Sequence, residues 1–451
     1  MECLGRTGLL NPGVNANLKH VAIVGADFVP SSLPPATRIR FFAKHLPDFG
    51  WEPIVLTTKP EYYDWSIDTE NECLLPESLE VIRTKALASS WTHKVGVGDI
   101  GMRSLWHHWR ILKQLCRQRR IDLILIPVPP YVPMILGRMA HERFGIPYVI
   151  DYIDPWVSEY YWTVPRGQRP PKWPLAYALA RLLEPYAVKK VGHITGVSKG
   201  TTDSVVRRYR RLKDADATEI PYGAETGDFH YLRRHPRKNV IFDSGDGALH
   251  LSSVGACIPA MYPAARALFQ AIRLGIKRNP ALFCRLQVHF VGTSYASKGG
   301  LPQALAAIAR EASVEQQVSE RRQRVSYLDS LQVMMDSHAL ILLGSKEPHY
   351  TASKVFPYIL AKRPLLAIFH EASNVVTTLR QLGCGHVVTF GAQRSAADIS
   401  EICNCLEEIL TSPRSQSQVM RQETAEAIST KGMAARLAKA LDKALSQQDY
   451  Y

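Results

Sequence analysis

No apolar run in this sequence reaches the ~18 residues that a helix needs to cross a bilayer. The longest, residues 123–137, is broken by four prolines. The first twenty residues lack the basic-then-apolar pattern of a secretory leader, so a cytoplasmic location is the expectation. Cysteines are sparse: there are eight in 451 residues, and only Cys403 and Cys405 stand close together. None forms C-x-x-C or joins a histidine pair at zinc spacing. That excludes a disulfide framework and a structural zinc, and neither a metal nor a cofactor is expected. A helix-turn-helix, a zinc finger and an RNP signature are all missing, so nucleic acid is not an expected partner.

The chain is about three times the length of a typical domain, which predicts at least two. With 46% hydrophobic and 21% charged residues it has ample material for packed cores. The formal charge of +14 is unevenly placed. Residues 1–100 hold nine Lys/Arg against twelve Asp/Glu, whereas residues 101–213 hold twenty against seven. Such a basic region suits an anionic membrane surface or an anionic, lipid-linked substrate. Within it, Met102, Leu105, Trp109, Leu112 and Cys116 recur at three- and four-residue steps, and Arg103, Arg110 and Arg117 stand seven apart. This predicts an amphipathic helix over 102–119 that either touches a membrane surface or packs as a crossover on a sheet.

Short Val/Ile-rich runs alternate with helical stretches, the pattern of α/β folds. Candidate strands in the first half are 21–25, 54–57, 123–127, 148–150 and 194–197. In the second they are 251–254, 288–291, 325–327, 340–343, 365–368 and 387–389. A charged, Gly-rich stretch over 230–247 reads as a linker. Nearly continuous apolar strands predict parallel sheets covered on both faces. The expected architecture is two doubly wound Rossmann-like domains with an interdomain cleft. The expected parts are an extension at 1–18, a first domain at 19–235, a second at 248–430 and a terminal helix at 431–451 that can return to the first domain. Ligands in such sheets bind beyond the carboxyl ends of the strands.

Three constellations sit at such ends. The loop 25–38 is not G-x-G-x-x-G, so a dinucleotide fingerprint is absent. It offers Ser31, Ser32 and Arg38 at the start of a helix, where an anion is favoured. Asp151, Asp154 and Trp156 follow the strand 148–150. Strand-end acids beside an aromatic ring suit a sugar, while Asp154 ahead of Pro155 also suits a helix cap. Across from them, Tyr131 follows two prolines. The third constellation runs from Gly344 to Tyr358 and carries Glu347, Tyr350, Thr351, Ser353 and Lys354. A strand, a polar loop and a helix start with a lysine can neutralise a diphosphate without metal. Tyr327 is grouped with these donor-side residues.

These residues resemble family-4-type glycosyltransferases of the GT-B fold. Residues 42–57 resemble that family's first helix and second strand, and Asp151-Tyr152-Ile153-Asp154-Pro155-Trp156 its D-x-R-D-x-W segment. Val197-Ser198 and residues 220–229 are similar to its V-S and P-N-G-x-D signatures. Ser253-Val254-Gly255 and Phe290-Val291-Gly292 are similar to its glycine-ended strands, and residues 353–367 to its S-K-x-x-E-Y helix. The resemblance implies a retaining transferase that moves a sugar from a nucleotide-linked donor to a glycan or lipid-linked acceptor in polysaccharide or cell-envelope synthesis. It also implies a donor grip by Lys354, Ser353, Thr351, Tyr350, Glu347 and Tyr327. On the acceptor side stand Ser31, Ser32, Arg38, Tyr131, Asp151 and Trp156, with Asp154 as the positioning or basic carboxylate. The chain departs where the family has a glutamate (here Pro357) and an arginine and lysine after Gly255, absent from residues 256–263. A binding protein that has lost the donor chemistry and a sugar-nucleotide epimerase are the alternatives. The basic region adds a place for the protein on the inner face of the cytoplasmic membrane.

Overall fold

The structure is a computed structural model that describes residues 18–92, 94, 96–159, 162, 169–170, 172–293, 304–346, 354–391, 397–411 and 428–447. The chain divides into two units. The first takes in residues up to Ile67, Leu75–Pro221 and Met433–Tyr451, and the second Asp68–Leu74 and Tyr222–Gly432.

The first unit is built on seven parallel strands: β1 (Lys19–Val24), β2 (Trp51–Thr58), β3 (Glu80–Thr84), β4 (Leu123–Val128), β5 (Tyr148–Tyr152), β6 (His193–Gly196) and β7 (Ala217–Glu219). Their order is β3-β2-β1-β4-β5-β6-β7. Val21 in β1 registers with Pro53 on one side and Leu123 on the other. All residues of β4 and β5 are buried, as a strand covered on both faces requires. The covering helices are α1 (Pro34–His45), α2 (Ile100–Gln118), α3 (Met134–Phe144), α4 (Trp173–Val188) and α5 (Lys199–Arg208). Local chemistry sets their ends. Two prolines occupy the first turn of α1. The Asp99 carboxylate accepts from the Met102 N–H at the start of α2, and Gly145 closes α3 at φ 72°.

The second unit carries β8 (Leu249–Val254), β9 (Leu286–Val291), β10 (Val318–Arg321), β11 (Ala339–Leu343), β12 (Leu365–His370) and β13 (His386–Phe390), ordered β10-β9-β8-β11-β12-β13 and again parallel. Its helices include α6 (Thr226–Arg234), α7 (Tyr262–Arg278), α8 (Ala304–Glu311), α9 (Tyr327–Asp336), α10 (Val355–Leu360), α11 (Asn374–Leu382) and α12 (Ile399–Thr411). The terminal helix α13 (Thr430–Ser446) gives Met433, Leu437, Ala438, Leu441 and Ala444 to the core of the first unit.

Three readings of the sequence are corrected. Residues 325–327 are not a strand. Ser326 caps α9 by accepting from the Asp329 N–H, and the strand of that region is β10, whose alternate residues are exposed. The edge strands β3 and β7, short and polar, escaped detection for the same reason. Residues 230–247 are not a bare linker. They continue α6 to Arg234, after which Phe242 lies over the His250 ring at 4.2 Å.

Candidate functional site

Both sheets reverse their strand order beside the first strand, and such reversals open a crevice at the carboxyl ends. In the second unit this point lies between β8 and β11. A hollow there is lined by Ser253, Ala256, Cys257, Leu343, Lys354 and Tyr358, among others. Gly255 ends β8 at φ 110°, and a Cβ on it would lie 2.3 Å from Lys354 Cε. Only glycine admits the lysine chain there. The Lys354 ammonium donates to the Ala256 carbonyl at 3.0 Å. Burial lowers its pKa to about 8, and the charge of Arg324 acts in the same direction. Arg324 stands over Gly292, the glycine that ends β9, its Cγ 3.5 Å from where a Cβ would be. Two cations therefore converge on two glycine-ended strands. Tyr358 fixes the wall by accepting from the Val254 N–H at 2.6 Å.

Lys354 is thus placed at a strand-end hollow. Glu347, Tyr350, Thr351 and Ser353 lie outside the described residues. Helix α10 is six residues long and begins after Lys354, so the lysine side chain and not a long helix dipole is the feature of the site. Tyr327 is otherwise engaged: its hydroxyl donates to Asp228 at 2.8 Å and its N–H to Asp68 at 2.7 Å, which anchors the start of α9.

In the first unit the expected group separates into two. Arg38 and Asp151 do not face a ligand. Both are fully buried, with Nε and Nη2 of Arg38 donating to the two Asp151 oxygens at 2.6 and 2.9 Å. Thr195 donates to the same carboxylate, and Arg38 also reaches the Ile220 carbonyl. An arginine that would be costly to bury alone is held here through Nε and Nη2 by a buried carboxylate and a carbonyl, so the expectation that it grips an anion at the start of α1 is corrected. Ser31 is likewise withdrawn: it is buried, donates to Asp27 at 3.0 Å and accepts from the Trp65 indole. Ser32 is half-buried beside it. Tyr131, Asp154 and Trp156 do come together. The Tyr131 and Trp156 rings stack at 5.4 Å, nearly parallel, and Asp154 is exposed. Desolvation raises both the Asp154 carboxyl and the Tyr131 phenol, and the charge of Asp154 adds to the latter.

Two residues of these strand ends were missed by sequence reasoning. Asp27 follows β1 and is buried, which raises its carboxyl to about 7. An acid just past a strand was the available signal, the same one that picked out Asp154. Arg324 had no such signal, because the strand before it was misplaced. Among the described residues no group of His, Cys, Asp and Glu could hold a metal ion, and no helix is long and apolar enough to cross a membrane.

Comparison with known proteins follows the same lines. Residues 35–223 match the family model described as a glycosyl transferase 4-like domain. No curated protein matches the sequence. The fold is similar to that of Anabaena Alr3699/HepE, solved with UDP and glucose, at TM-score 0.58 and 13% identity, covering 94% of this chain and 99% of that one. It is also similar to a UDP-forming α,α-trehalose-phosphate synthase from Burkholderia xenovorans (TM-score 0.56, 13% identity, 94% and 99% covered). A glycosyltransferase from Rickettsia africae gives 0.53 at 10% identity, with 96% and 97% covered. Residues 35–223 thus match a glycosyl transferase 4-like domain, and the chain as a whole has a fold similar to that of solved two-domain glycosyltransferases, with two Rossmann-like parallel sheets.

Proposed function

We propose that this chain transfers a sugar from a nucleotide-linked donor to a glycan or lipid-linked acceptor, with the anomeric configuration retained and without a metal, as a step in polysaccharide or cell-envelope assembly. The observation that carries the donor side is the half-buried Lys354 side chain against Gly255, with the charge of Arg324 near enough to lower its pKa. A donor diphosphate there meets the Lys354 ammonium in a partly dry hollow, where charge is stabilised more strongly than in water, with the exposed Arg324 against the neighbouring strand end. These cations take the place of the arginine and lysine missing after Gly255. UDP and UDP-glucose are bound by the structural neighbour from Anabaena, which makes a uridine diphosphate sugar the first donor to try.

In the reaction the bond from the anomeric carbon to the donor phosphate oxygen breaks. A bond from that carbon to an acceptor oxygen forms, and the acceptor proton leaves with the departing phosphate. The stacked pair Tyr131–Trp156 offers an apolar face to a sugar ring, and Asp154 offers an acceptor for its hydroxyls.

Titration calorimetry with a panel of sugar nucleotides tests this reading. One member should bind, and Lys354→Ala should weaken it about 10- to 100-fold, the worth of a charge-assisted hydrogen bond. Because burial holds the lysine near pKa 8, wild-type affinity should fall as pH rises through that value and the variant's should not. Binding and transfer should survive EDTA. Failure of every sugar nucleotide to bind at millimolar concentration refutes the proposal.

A further inference from the structure

One face of the first unit carries features that sugar transfer does not use. Helices α2, α3 and α4 lie side by side over the same core. On α2 the outward stripe is Trp106, Arg110, Gln114 and Arg117, stepping by three and four residues, with Trp106 70% exposed. On α4 the outward stripe is Leu175, Ala178, Leu182 and Tyr186, ending at Lys189, with Leu175 and Leu182 73% and 71% exposed. An ordinary crossover helix turns such residues inward. Trp162, itself more than half exposed, packs edge-on against Trp173 at the start of α4.

Cations outnumber acids on this layer. Helix α2 contains no acid. The acid of α3, Glu142, is held by Arg138 and by the Tyr186 hydroxyl. The acid of α4, Glu184, is buried and takes hydrogen bonds from Arg208 and Tyr209. Arg110, Arg117, Arg143, Arg181, Lys189 and Lys190 are exposed. The seven-residue arginine repeat of the sequence is only partly outward, since Arg103 is buried against Asp64 and the Leu87 and Tyr62 carbonyls.

We infer that this three-helix layer docks on an anionic bilayer surface, with Trp106, Leu175 and Leu182 dipping among the acyl chains and the surrounding cations meeting lipid phosphates. Apolar side chains one or two turns apart, interleaved with an excess of cations and with the one exposed acid of the three helices, Glu142, paired to Arg138, are what an interfacial helix needs. An acidic protein would satisfy the cations but would give the scattered leucines no continuous apolar medium. The inference stands apart from the donor chemistry, because none of these residues lines the Lys354 hollow.

The test is co-sedimentation of the full chain with extruded phosphatidylcholine vesicles containing about one-third phosphatidylglycerol, or none. Binding is expected to the anionic vesicles and to be largely lost at about 0.5 M salt, where charge is screened within a few ångströms. Leu175→Glu/Leu182→Glu should weaken binding about 10-fold or more. Arg110→Gln/Arg117→Gln should do the same should the leucine pair fail to fold, as judged by its melting curve. Absence of binding to anionic vesicles at low salt overturns the inference and leaves an acidic protein as the partner of this face. Binding that neither double variant changes overturns it as well. Sugar-nucleotide affinity should be unmoved in both variants, which separates this result from failure of the donor site.

Discussion

Burial moves the titration of several side chains in this protein. Asp27 has its carboxyl raised to about 7, chiefly by desolvation, with the nearby Asp99 adding to it and the Ser31 hydroxyl opposing. The folded state therefore holds a proton that the unfolded chain releases near pH 4, so folding stability falls as pH rises from about 4 to about 7. Asp27→Asn removes the titration and keeps the shape. Urea midpoints taken across that range should fall for the wild type by the equivalent of about 4 kcal/mol, and the variant's curve should be flatter by most of that amount. Parallel curves would show that Asp27 stays charged when folded. Lys354 follows the opposite rule, since its lowered pKa makes the folded state the poorer proton binder between about 8 and its ordinary value. The residue types of the candidate site were legible in the sequence because strand-end acids and a lysine after a polar loop are rare. Their partners were not. Arg38 and Asp151 are 113 positions apart, and nothing local says that they neutralise each other.

At the scale of elements, that buried pair joins α1 to β5, and through Thr195 and the Ile220 carbonyl it ties in β6 and the exit from β7. Asp151→Ala leaves a buried guanidinium without its carboxylate and should cost about 3–5 kcal/mol in chemical denaturation. A loss under 1 kcal/mol would mean that water reaches Arg38. The elements that sequence reading found are those whose pattern is decided by burial alone. Strands β1, β4, β11 and β12 are apolar on both faces and announce themselves. Strands β3, β7 and β10 lie at sheet edges, where half of the residues meet water and the alternation dissolves into polar sequence. Helix α4 has a weak helical signature for the converse reason: its outward leucines blur the amphipathic period by which helices are recognised.

For the whole molecule, the two parallel sheets follow from alternation of strand and helix, whereas the path of the chain between them does not. The first unit is discontinuous, because α13 returns to it after the second unit is complete. Trp51 and Lys19 both donate to Asp442, and Ala444 packs on Gly192 so closely that a Cβ there would stand 3.1 Å away. Leu437 and Leu441 are fully buried in the core beneath β1, β2 and β4. The sequence allows an Ala-rich tail of this kind to return to the first domain, but nothing local in it names the partner. If the first unit depends on it, Leu437→Ala and Leu441→Ala should each lower stability by about 2–5 kcal/mol. Removal of residues 430–451 should then lower the unfolding transition of the first unit while the second, whose core clusters contain none of α13, melts as before. Differential scanning calorimetry resolves the two transitions. Two unshifted transitions in the truncated chain would show that the helix decorates the first unit and does not complete it.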